Sequence, residues 1–373
     1  MPAVSYTIAL DGEPLEDEIL GAVSAIEVED HALLADMLRI RLAIAIEKDG
    51  AGWTLLDDDV FPRLARLTVA VAIGSHVRET LIDAYVIESS VRLSAKPGGS
   101  SLDVVAMDPT VLLNLDEVVR AWPDMSDSDI AASIFAERGF AQDVETTEPQ
   151  RQEVAGTTVQ RGTDMRFLQR LAERNGFEVY VEVDPSTGET TGHFHAPRLD
   201  DAPQGTLSVS FGEATNVHSF AASFDMLRPA VVTAIGIGSG DQSEQRAEVE
   251  SVAASTMGGG SVLPADRPRK VLLAGTGLTD ANELQTAAQA AVDRSAWALV
   301  AQGELTTSAY GGVLRAKRPV NVRGAGRRFS GVWYVDHVLH RIEGTSYSQI
   351  FSLRRNAVGL SGAESFQEDD AVA

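Results

Sequence analysis

Residues 159–183 read VQRGTDMRFLQRLAERNGFEVYVEV, a sequence in which a helix pattern passes directly into a strand pattern. Phe167 and Leu171 fall on one face of the predicted helix, whereas arginines and glutamates fall on the other face. We predict a helix over 164–175, closed by Gly176, because glycine readily adopts the left-handed conformation that ends helices. Apolar and polar residues then alternate, which is typical of a strand with one buried face. The stretch therefore predicts an α+β unit.

The sequence on either side of this unit is predominantly β in character. Before it, alternating segments such as Met37 to Ile46 and Arg66 to Ile73 are separated by turn signals, which favours a small antiparallel barrel or sandwich. A helix is predicted from Ser126 to Arg138, capped by the serine together with Asp129. After the α+β unit, β patterns return, interrupted by a Gly- and Ser-rich segment and by a predicted helix over 280–299.

The composition excludes several classes of function. The chain has 373 residues, with 54 acidic and 31 basic side chains, for a formal net charge of -23. A field of this sign repels nucleic acids and anionic lipids, so binding to either is not expected. Cysteine is absent, which excludes disulfides, thiolate metal sites and cysteine nucleophiles. No apolar run has the length of about 18–20 residues that a membrane helix needs, and no Sec signal is visible at the N-terminus.

Metal-ligating patterns are few and incomplete. The run Asp57-Asp58-Asp59 lacks the alternate spacing and the glycine of a calcium loop, so a solvated loop is predicted. His193 and His195 share one face of a predicted strand and could supply half of a zinc site, but no third ligand lies at a recognisable spacing. His337 and His340 lie three apart in a strand and point to opposite faces, so a joint metal role is not expected. We predict that His340 is packed or hydrogen-bonded inside the fold.

Catalytic motifs are also missing from the sequence. Segments 236–240 (GIGSG) and 275–277 (GTG) lack the GxGxxG order within a strand–turn–helix unit, and both are predicted as turns. The sequence contains no GxSxG or HExxH motif. Carboxylates are too numerous for an acid–base pair to be singled out. We therefore assign no catalytic, cofactor-binding or metal-binding residue, and we expect a chain that is not an enzyme and uses no cofactor.

Two segments carry a pattern of a known family. Residues 159–181 resemble a helix–strand stretch of the phage late control protein D family, which includes the N-terminal hub part of the valine–glycine repeat spike proteins of type VI secretion. Residues 326–342 (GRRFSGVWYVDHVLHRI) look like the closing strands of that family, and 347–356 (YSQIFSLRRN) are similar to its end. Residues 81–86 (LIDAYV) also fit, except that Ala84 stands where the family usually has glycine.

This resemblance implies a structural baseplate hub that acts as an adaptor between tube and spike. Hubs of this family form homotrimers in which each protomer carries two tube-like β-barrels, so that six barrels face a hexameric inner tube and the three-fold side meets a trimeric spike. The implied partners are a second and third copy of the chain, an inner tube protein, a spike protein and other baseplate proteins. The implied setting is a contractile injection machine, namely a phage tail, a tailocin or an extracellular contractile injection system. Assembly would occur in the cytoplasm, and the particle could be released or act extracellularly.

The expected fold class is α+β, mostly β, with two small antiparallel tube-like β-barrels, an α+β module between them and a helical insertion. The expected units are a first barrel at 1–112, the α+β module at 113–205, a second barrel at 206–237 and 303–356, an insertion at 238–302 with its helix at 280–299, and an acidic flexible tail at 357–373. Because the sequence ends soon after the second barrel, the spike is expected to be a separate polypeptide.

Two other functions fit parts of the sequence. A cell-wall hydrolase at a tail tip would need a pocket with converging carboxylates, and the sequence singles out none. A β-rich adhesin or carbohydrate-binding module would usually show exposed aromatic platforms and a secretion signal, but aromatic residues make up 6% of this chain. The structural hub is therefore the leading hypothesis.

Overall fold

The described part of the structure, a computed structural model, contains most of the chain. It comprises residues 4–46, 52–57, 60–74, 77–148, 157–184, 187–238, 242–275, 277–278, 280–364 and 366. Predictions made for Asp58, Asp59, Gly240 and the end of the acidic tail at 367–373 lie outside these residues. Among the described residues, no helix has the length and apolar character needed to cross a membrane.

Strands and helices are numbered in chain order. The strands are β1 (Val4–Leu10), β2 (Glu13–Pro14), β3 (Val23–His31), β4 (Met37–Ala43), β5 (Arg66–Ile73), β6 (Val77–Arg92), β7 (Ser101–Met107), β8 (Val118–Trp122), β9 (Ala141–Val144), β10 (Thr158–Gly162), β11 (Glu178–Val183), β12 (Thr190–His195), β13 (Thr206–Ser208), β14 (Ser219–Phe224), β15 (Ala230–Ile237), β16 (Glu244–Val249), β17 (Gly260–Ser261), β18 (Arg269–Leu273), β19 (Leu299–Thr306), β20 (Pro319–Arg323), β21 (Gly331–Glu343), β22 (Ser346–Arg355) and β23 (Ala357–Val358). The helices are α1 (Asp17–Ala22), α2 (Asp127–Glu137), α3 (Asp164–Asn175), α4 (Ala281–Ser295), α5 (Thr307–Tyr310) and α6 (Gly326–Phe329), with short 3-10 helices at Pro109–Leu113 and Gly212–Ala214.

One sheet of 13 strands runs through two β units. The first β unit comprises β1–β7, and the second comprises β13, β14 and β19–β22. The path of the sheet is β14-β19-β22-β21-β3-β4-β7-β6-β5-β1-β2. In addition, β20 pairs with β21, and β13 pairs with β20. The long strand β21 is shared along one edge: its residues 331–334 pair with β20, whereas its residues 337–342 pair with β3. Strand β21 therefore joins the first β unit to the second.

Two hydrophobic cores lie along this sheet, one in each β unit. In the first unit every second residue of β5 is buried (Leu67, Val69, Val71 and Ile73), as the period-2 geometry of a strand requires. The second core surrounds Trp333 and Phe351, which are both completely buried. The predicted fold class, α+β and mostly β, is therefore confirmed. One detail of the prediction is wrong: β4 ends at Ala43, and Ile46 is 59% exposed rather than part of the apolar face.

The α+β module has a separate core between helices α2 and α3 and the three-stranded sheet β11-β12-β9. Helix α3 has its predicted bounds and is closed by Gly176 at a φ of 72°. Helix α2 is one residue shorter at each end than predicted, because Ser126, which forms a capping box with Asp129, and Arg138 are its caps. Phe167, Leu168 and Leu171 are buried in this core, as expected from their spacing. Close packing explains Gly192, since a Cβ there would lie 2.4 Å from the Phe135 ring.

The insertion contains more than the predicted helix. Strands β16, β15 and β18 form a three-stranded sheet that packs against α4, and its core includes Ala234, Leu284 and Ala288. We expected 206–237 to lie in the second barrel, but β15 pairs with β16 and β18 instead of with the large sheet. Its buried side chains are covered by α4, which explains why it leaves the barrel.

The predicted helix over 280–299 is four residues too long, because α4 ends at Ser295. The Ser295 hydroxyl donates to the carbonyl of Val292, 2.7 Å away, and the chain then turns into β19. Leu299, which we placed on the helix face, begins that strand opposite Arg355 and is completely buried in the second core. The apolar spacing of α4 therefore continues beyond the end of the helix, because Leu299 is buried in the second core and not in the core that α4 shares with β15 and β16.

The segment assigned to a flexible tail begins as ordered structure. Strand β23 pairs with β17, with Val358 opposite Gly260. The buried guanidinium of Arg355 anchors this region by donating to the carbonyls of Met257, Ser330 and Gly359 at 2.5–3.0 Å. Residues 357–358 therefore form a strand, although we expected them to belong to a flexible tail.

Candidate functional site

The junction between the two β units concentrates the unusual polar chemistry of the chain. A β-bulge in β21 lies at Asp336, between the residues that pair regularly with β22. Because a bulge re-aims the side chains that follow it, the buried positions change from Trp333 and Val335 before it to Val338 and His340 after it. Each face of the β3·β21 pair consequently carries its own group of polar residues. We call the face with Asp30 and His340 the inner face, and the face with Glu29, His31 and His337 the outer face.

The inner face holds a buried lysine surrounded by carboxyl groups. The Lys317 side chain is 4% exposed, and its ammonium nitrogen lies 2.8 Å from an oxygen of Asp30 and 3.1 Å from an oxygen of Asp36. Asp108 completes the group, since it accepts a hydrogen bond of 2.7 Å from the backbone N–H of Asp36 and another of 2.9 Å from that of Thr110. The group ties β3, the β3–β4 connection, the end of β7 and the loop before β20 together.

Arg315 extends this network into the first β unit. Its Nε donates to Glu79 at 2.8 Å, and its Nη atoms donate to the backbone carbonyls of Thr80 and Leu81 in β6. All three acceptors lie in the first unit, whereas Arg315 lies in the second. The two units are therefore joined by buried charge pairs as well as by strand pairing.

The carboxyl groups of this network differ in how easily they ionise. Burial alone would raise the pKa of Asp30, but the charges of Lys317 and Arg315 outweigh it and hold that pKa well below its usual range. Burial raises the pKa of Asp36 and of Asp108 above the usual range, and Asp30 and Asp108 add to the effect at Asp36. Burial opposes the charge on Lys317, yet Asp30 and Asp36 raise its pKa. The network thus contains an ionised Lys317–Asp30 pair beside two carboxyl groups that resist ionisation.

His340 lies on the same inner face and is completely buried. Its Nδ1 is 2.9 Å from the Tyr347 hydroxyl, and its Nε2 has no hydrogen-bond partner among the described residues. Burial lowers the pKa of His340 to about 3, and the positive charge of Arg315 acts in the same direction, against the attraction of Asp30. The predicted packed role of His340 is confirmed, and its imidazole is neutral at neutral pH.

Acid should destabilise the fold through His340. Between pH values of about 6.5 and 3 the unfolded chain binds a proton on this residue that the folded chain does not bind, so stability falls as the pH falls. We expect the stability advantage of wild type over His340→Gln to shrink by up to about 1.4 kcal/mol per pH unit in this range. Urea unfolding at several pH values measures it, with the exposed His218→Gln as control. An advantage that is constant from pH 7 to pH 4 would contradict the assignment.

The outer face of the same strand pair carries two histidines and a glutamate. His31 and His337 are opposite each other in the β3·β21 register, and their rings stack with centroids 4.0 Å apart. Glu29, two residues before His31, points to the same face, with one carboxylate oxygen 3.4 Å from the Nε2 of His31 and 3.9 Å from that of His337. The prediction that His337 and His340 point to opposite faces is confirmed, whereas no sequence pattern indicates the pairing with His31.

The structure also gives His193 and His195 a carboxylate neighbour that the sequence did not reveal. Asp143 of β9 is the register partner of His193 in the parallel β9·β12 pair, and its carboxylate oxygen lies 2.9 Å from the Nδ1 of His193 and 3.8 Å from the Nε2 of His195. Arg198 donates to the same oxygen, and the Tyr180 hydroxyl lies 3.2 Å from the Nε2 of His195. This carboxylate already has a cationic partner within the fold.

The α+β module is joined to the second β unit by another buried group. Glu178, which is 2% exposed, accepts a 2.6 Å hydrogen bond from the Tyr334 hydroxyl and is paired with Arg354. Burial raises the pKa of Glu178, and Arg354 and Tyr334 counteract the rise. This contact anchors the start of β11 to β21 and β22.

Hydrogen bonding, close packing or turn geometry accounts for the remaining residues that the sequence analysis considered. Asp57 accepts a 2.9 Å hydrogen bond from the backbone N–H of Trp53. The turn predicted from 236 onward is wrong at Gly236, which lies in β15 opposite Gln245. A Cβ there would meet the carbonyl of Leu278 at 2.5 Å, so close packing accounts for this glycine. Gly275 and Gly277 both have a φ of 72°, in agreement with a turn.

The fold is similar to that of solved phage-tail and secretion-system proteins. A 43 kDa tail protein of prophage MuSo2 from Shewanella oneidensis is 14% identical, with a TM-score of 0.67 over 95% of this chain and 100% of that chain. A tail protein from Neisseria meningitidis is 12% identical, with a TM-score of 0.64 over 95% and 97%. The Escherichia coli c3393 protein, a component of the type VI secretion system, is 13% identical, with a TM-score of 0.54 over 96% and 79%. At these identities the likeness shows the fold.

The sequence itself identifies a family. No curated protein sequence matches the chain. The fold comparisons support the coarser expectation of a tail-protein-like fold, and the family match does not confirm the late control protein D family that the motifs resemble. Because the match extends over residues 1–344, the chain belongs to the Alg8 N-terminal domain family.

Proposed function

We propose that this protein is a structural hub of a contractile, phage-tail-like particle, where a homotrimer joins a hexameric inner tube to a trimeric spike. The observation that carries the proposal is the likeness of the fold to tail proteins over 95% of this chain and 100% of the first of those chains. The late-control-protein-like motifs at 159–181 and 326–342 support the same role.

The arrangement of the large sheet suits such an adaptor. Each chain contributes two β units with separate cores, so three chains would present six β units to a six-fold ring. The ladder of described strands ends at β14 on one side and at β2 on the other. Edge strands have unpaired N–H and C=O groups that can pair with another chain, so these two ends are the proposed contacts between protomers.

A spike protein is the proposed partner on the three-fold side. The fold is also similar to a chain of the Francisella PdpA–VgrG complex, at 9% identity and a TM-score of 0.57 over 100% of this chain and 60% of that chain. The proposed partners are therefore a spike protein and an inner tube protein, with assembly in the cytoplasm before incorporation into the particle. The buried charge pairs at the junction would fix the angle between the two β units, and we assign them no catalytic role.

Co-purification with separately expressed tube and spike proteins tests this role. We expect the full-length chain to retain both partners, because both faces of the adaptor are built from the two β units. A chain ending at Gly362 is the matched control, since it keeps every strand of the described residues and lacks the acidic residues at 364–373. Retention of neither partner by the full-length chain would contradict the proposal, and loss of a partner only on truncation would assign that contact to the tail.

A further inference from the structure

The outer face of the β3·β21 pair presents three metal-ligating atoms in one place. One ring nitrogen of His31, one of His337 and a carboxylate oxygen of Glu29 lie within 4.8 Å of one another. We propose that Glu29, His31 and His337 form a binding site for a divalent transition-metal ion, with Zn²⁺ as the representative ion. This inference is independent of the proposed function.

The donor set and its spacing suit Zn²⁺. Zinc is commonly held by histidine nitrogens and a carboxylate oxygen at about 2.0–2.2 Å, with a fourth position open to water. Ligand atoms around a tetrahedral ion at such distances lie about 3.3 Å apart. The glutamate oxygen is 3.4 Å from one imidazole nitrogen and 3.9 Å from the other, and the two stacked rings would have to rotate out of their near-parallel arrangement to direct both nitrogens at one ion.

The ligand atoms are also available. The Nε2 of His337 is buried and has no hydrogen-bond partner among the described residues. Glu29 is half-exposed, which leaves the site open to solvent for metal entry.

The second histidine group provides an internal comparison. Its carboxylate, Asp143, is already engaged by the guanidinium of Arg198, and the Nε2 of His195 faces the Tyr180 hydroxyl. A metal ion there would have to displace a cation and a hydroxyl group. We therefore expect zinc to select the Glu29 group.

Metal binding at this place would link the two β units. Glu29 and His31 belong to the first unit through β3, whereas His337 belongs to the second through β21. An ion held by both strands binds only when they are paired, so zinc should stabilise the folded chain. The ion would reinforce from the outer face the junction that Lys317 and Arg315 hold from the inner face.

Isothermal titration of Zn²⁺ into the full chain tests the proposal. We expect one ion per chain, and we expect Glu29→Gln and His337→Gln each to weaken binding at least tenfold, since even residues that only support metal ligands cost about 10–100-fold when changed. His193→Gln is the matched control and should bind zinc as wild type does. Absence of zinc binding by wild type, or loss of binding in His193→Gln with retention in the other two variants, would overturn the proposal.

Thermal unfolding provides a second readout that does not depend on the titration. Zinc should raise the unfolding temperature of wild type and of His193→Gln but not that of Glu29→Gln. Because Glu29 is half-exposed, its change to glutamine should leave the metal-free unfolding temperature unaltered. An equal zinc-induced rise in Glu29→Gln would also overturn the proposal.

Discussion

Replacing Lys317 by methionine should lower the free energy of unfolding by about 3–5 kcal/mol, the usual cost of removing one partner of a buried ion pair. Methionine keeps most of the length of the side chain and removes its charge. The Asp30 carboxylate, whose side chain is 8% exposed, would then lose the ammonium 2.8 Å away and retain Arg315 at 3.9 Å and the backbone N–H of Ala316 at 3.0 Å. A buried carboxylate with so little compensation either pays for its desolvation or takes up a proton, and both outcomes favour unfolding.

Urea unfolding at pH 7 measures this loss, with the exposed Lys270→Met as matched control. The double variant Lys317→Met/Asp30→Asn should recover part of the loss, because the uncompensated charge is removed as well. Lys317 lowers the folded-state pKa of Asp30, so its contribution is present above the unfolded pKa of about 3.8 and disappears as the pH falls below it. A loss below about 1 kcal/mol at pH 7 would mean that the pair is worth no more than a surface salt bridge.

Replacing Phe167 by alanine should cost about 3–5 kcal/mol, because it removes a large buried aromatic side chain and leaves a cavity. Phe167 is 3% exposed and lies in the core of the α+β module, together with Leu168 and Leu171. Ion pairs such as that of Arg174 with Asp127 also attach helix α3, and Phe167→Ala leaves them in place. The matched control is Phe211→Ala, because Phe211 is 48% exposed and should cost far less. Equal losses for the two variants would show that the apolar face of α3 does not anchor the module.

Local signals explain which elements could be predicted from the sequence. Helix α3 was predicted with its observed bounds because its cap, its apolar face and the closing Gly176 all lie within a few residues of one another. The capping box of α2 was likewise predicted, although the helix is one residue shorter at each end than predicted. Helix α4 was predicted too long because Leu299 continues the apolar spacing, although it is buried in a different core.

The polar groups of the junction could not be predicted, because their members are distant in sequence. Lys317 and Asp30 are separated by 287 residues, and their contact depends on the pairing of β3 with β21. His337 faces His31 only because the bulge at Asp336 changes which side chains of β21 point outward. Asp143 meets His193 through a parallel strand pair for which the sequence has no local signal.

The mass of the protein in solution, measured by light scattering, tests the proposed hub most directly. We expect a homotrimer of about 120 kDa, three times the chain mass of 39.8 kDa, either alone or in the presence of the spike protein. A spike-bound species should likewise contain three copies of this chain. A mass near that of a single chain at high protein concentration, at every salt concentration and with the spike protein present would contradict it.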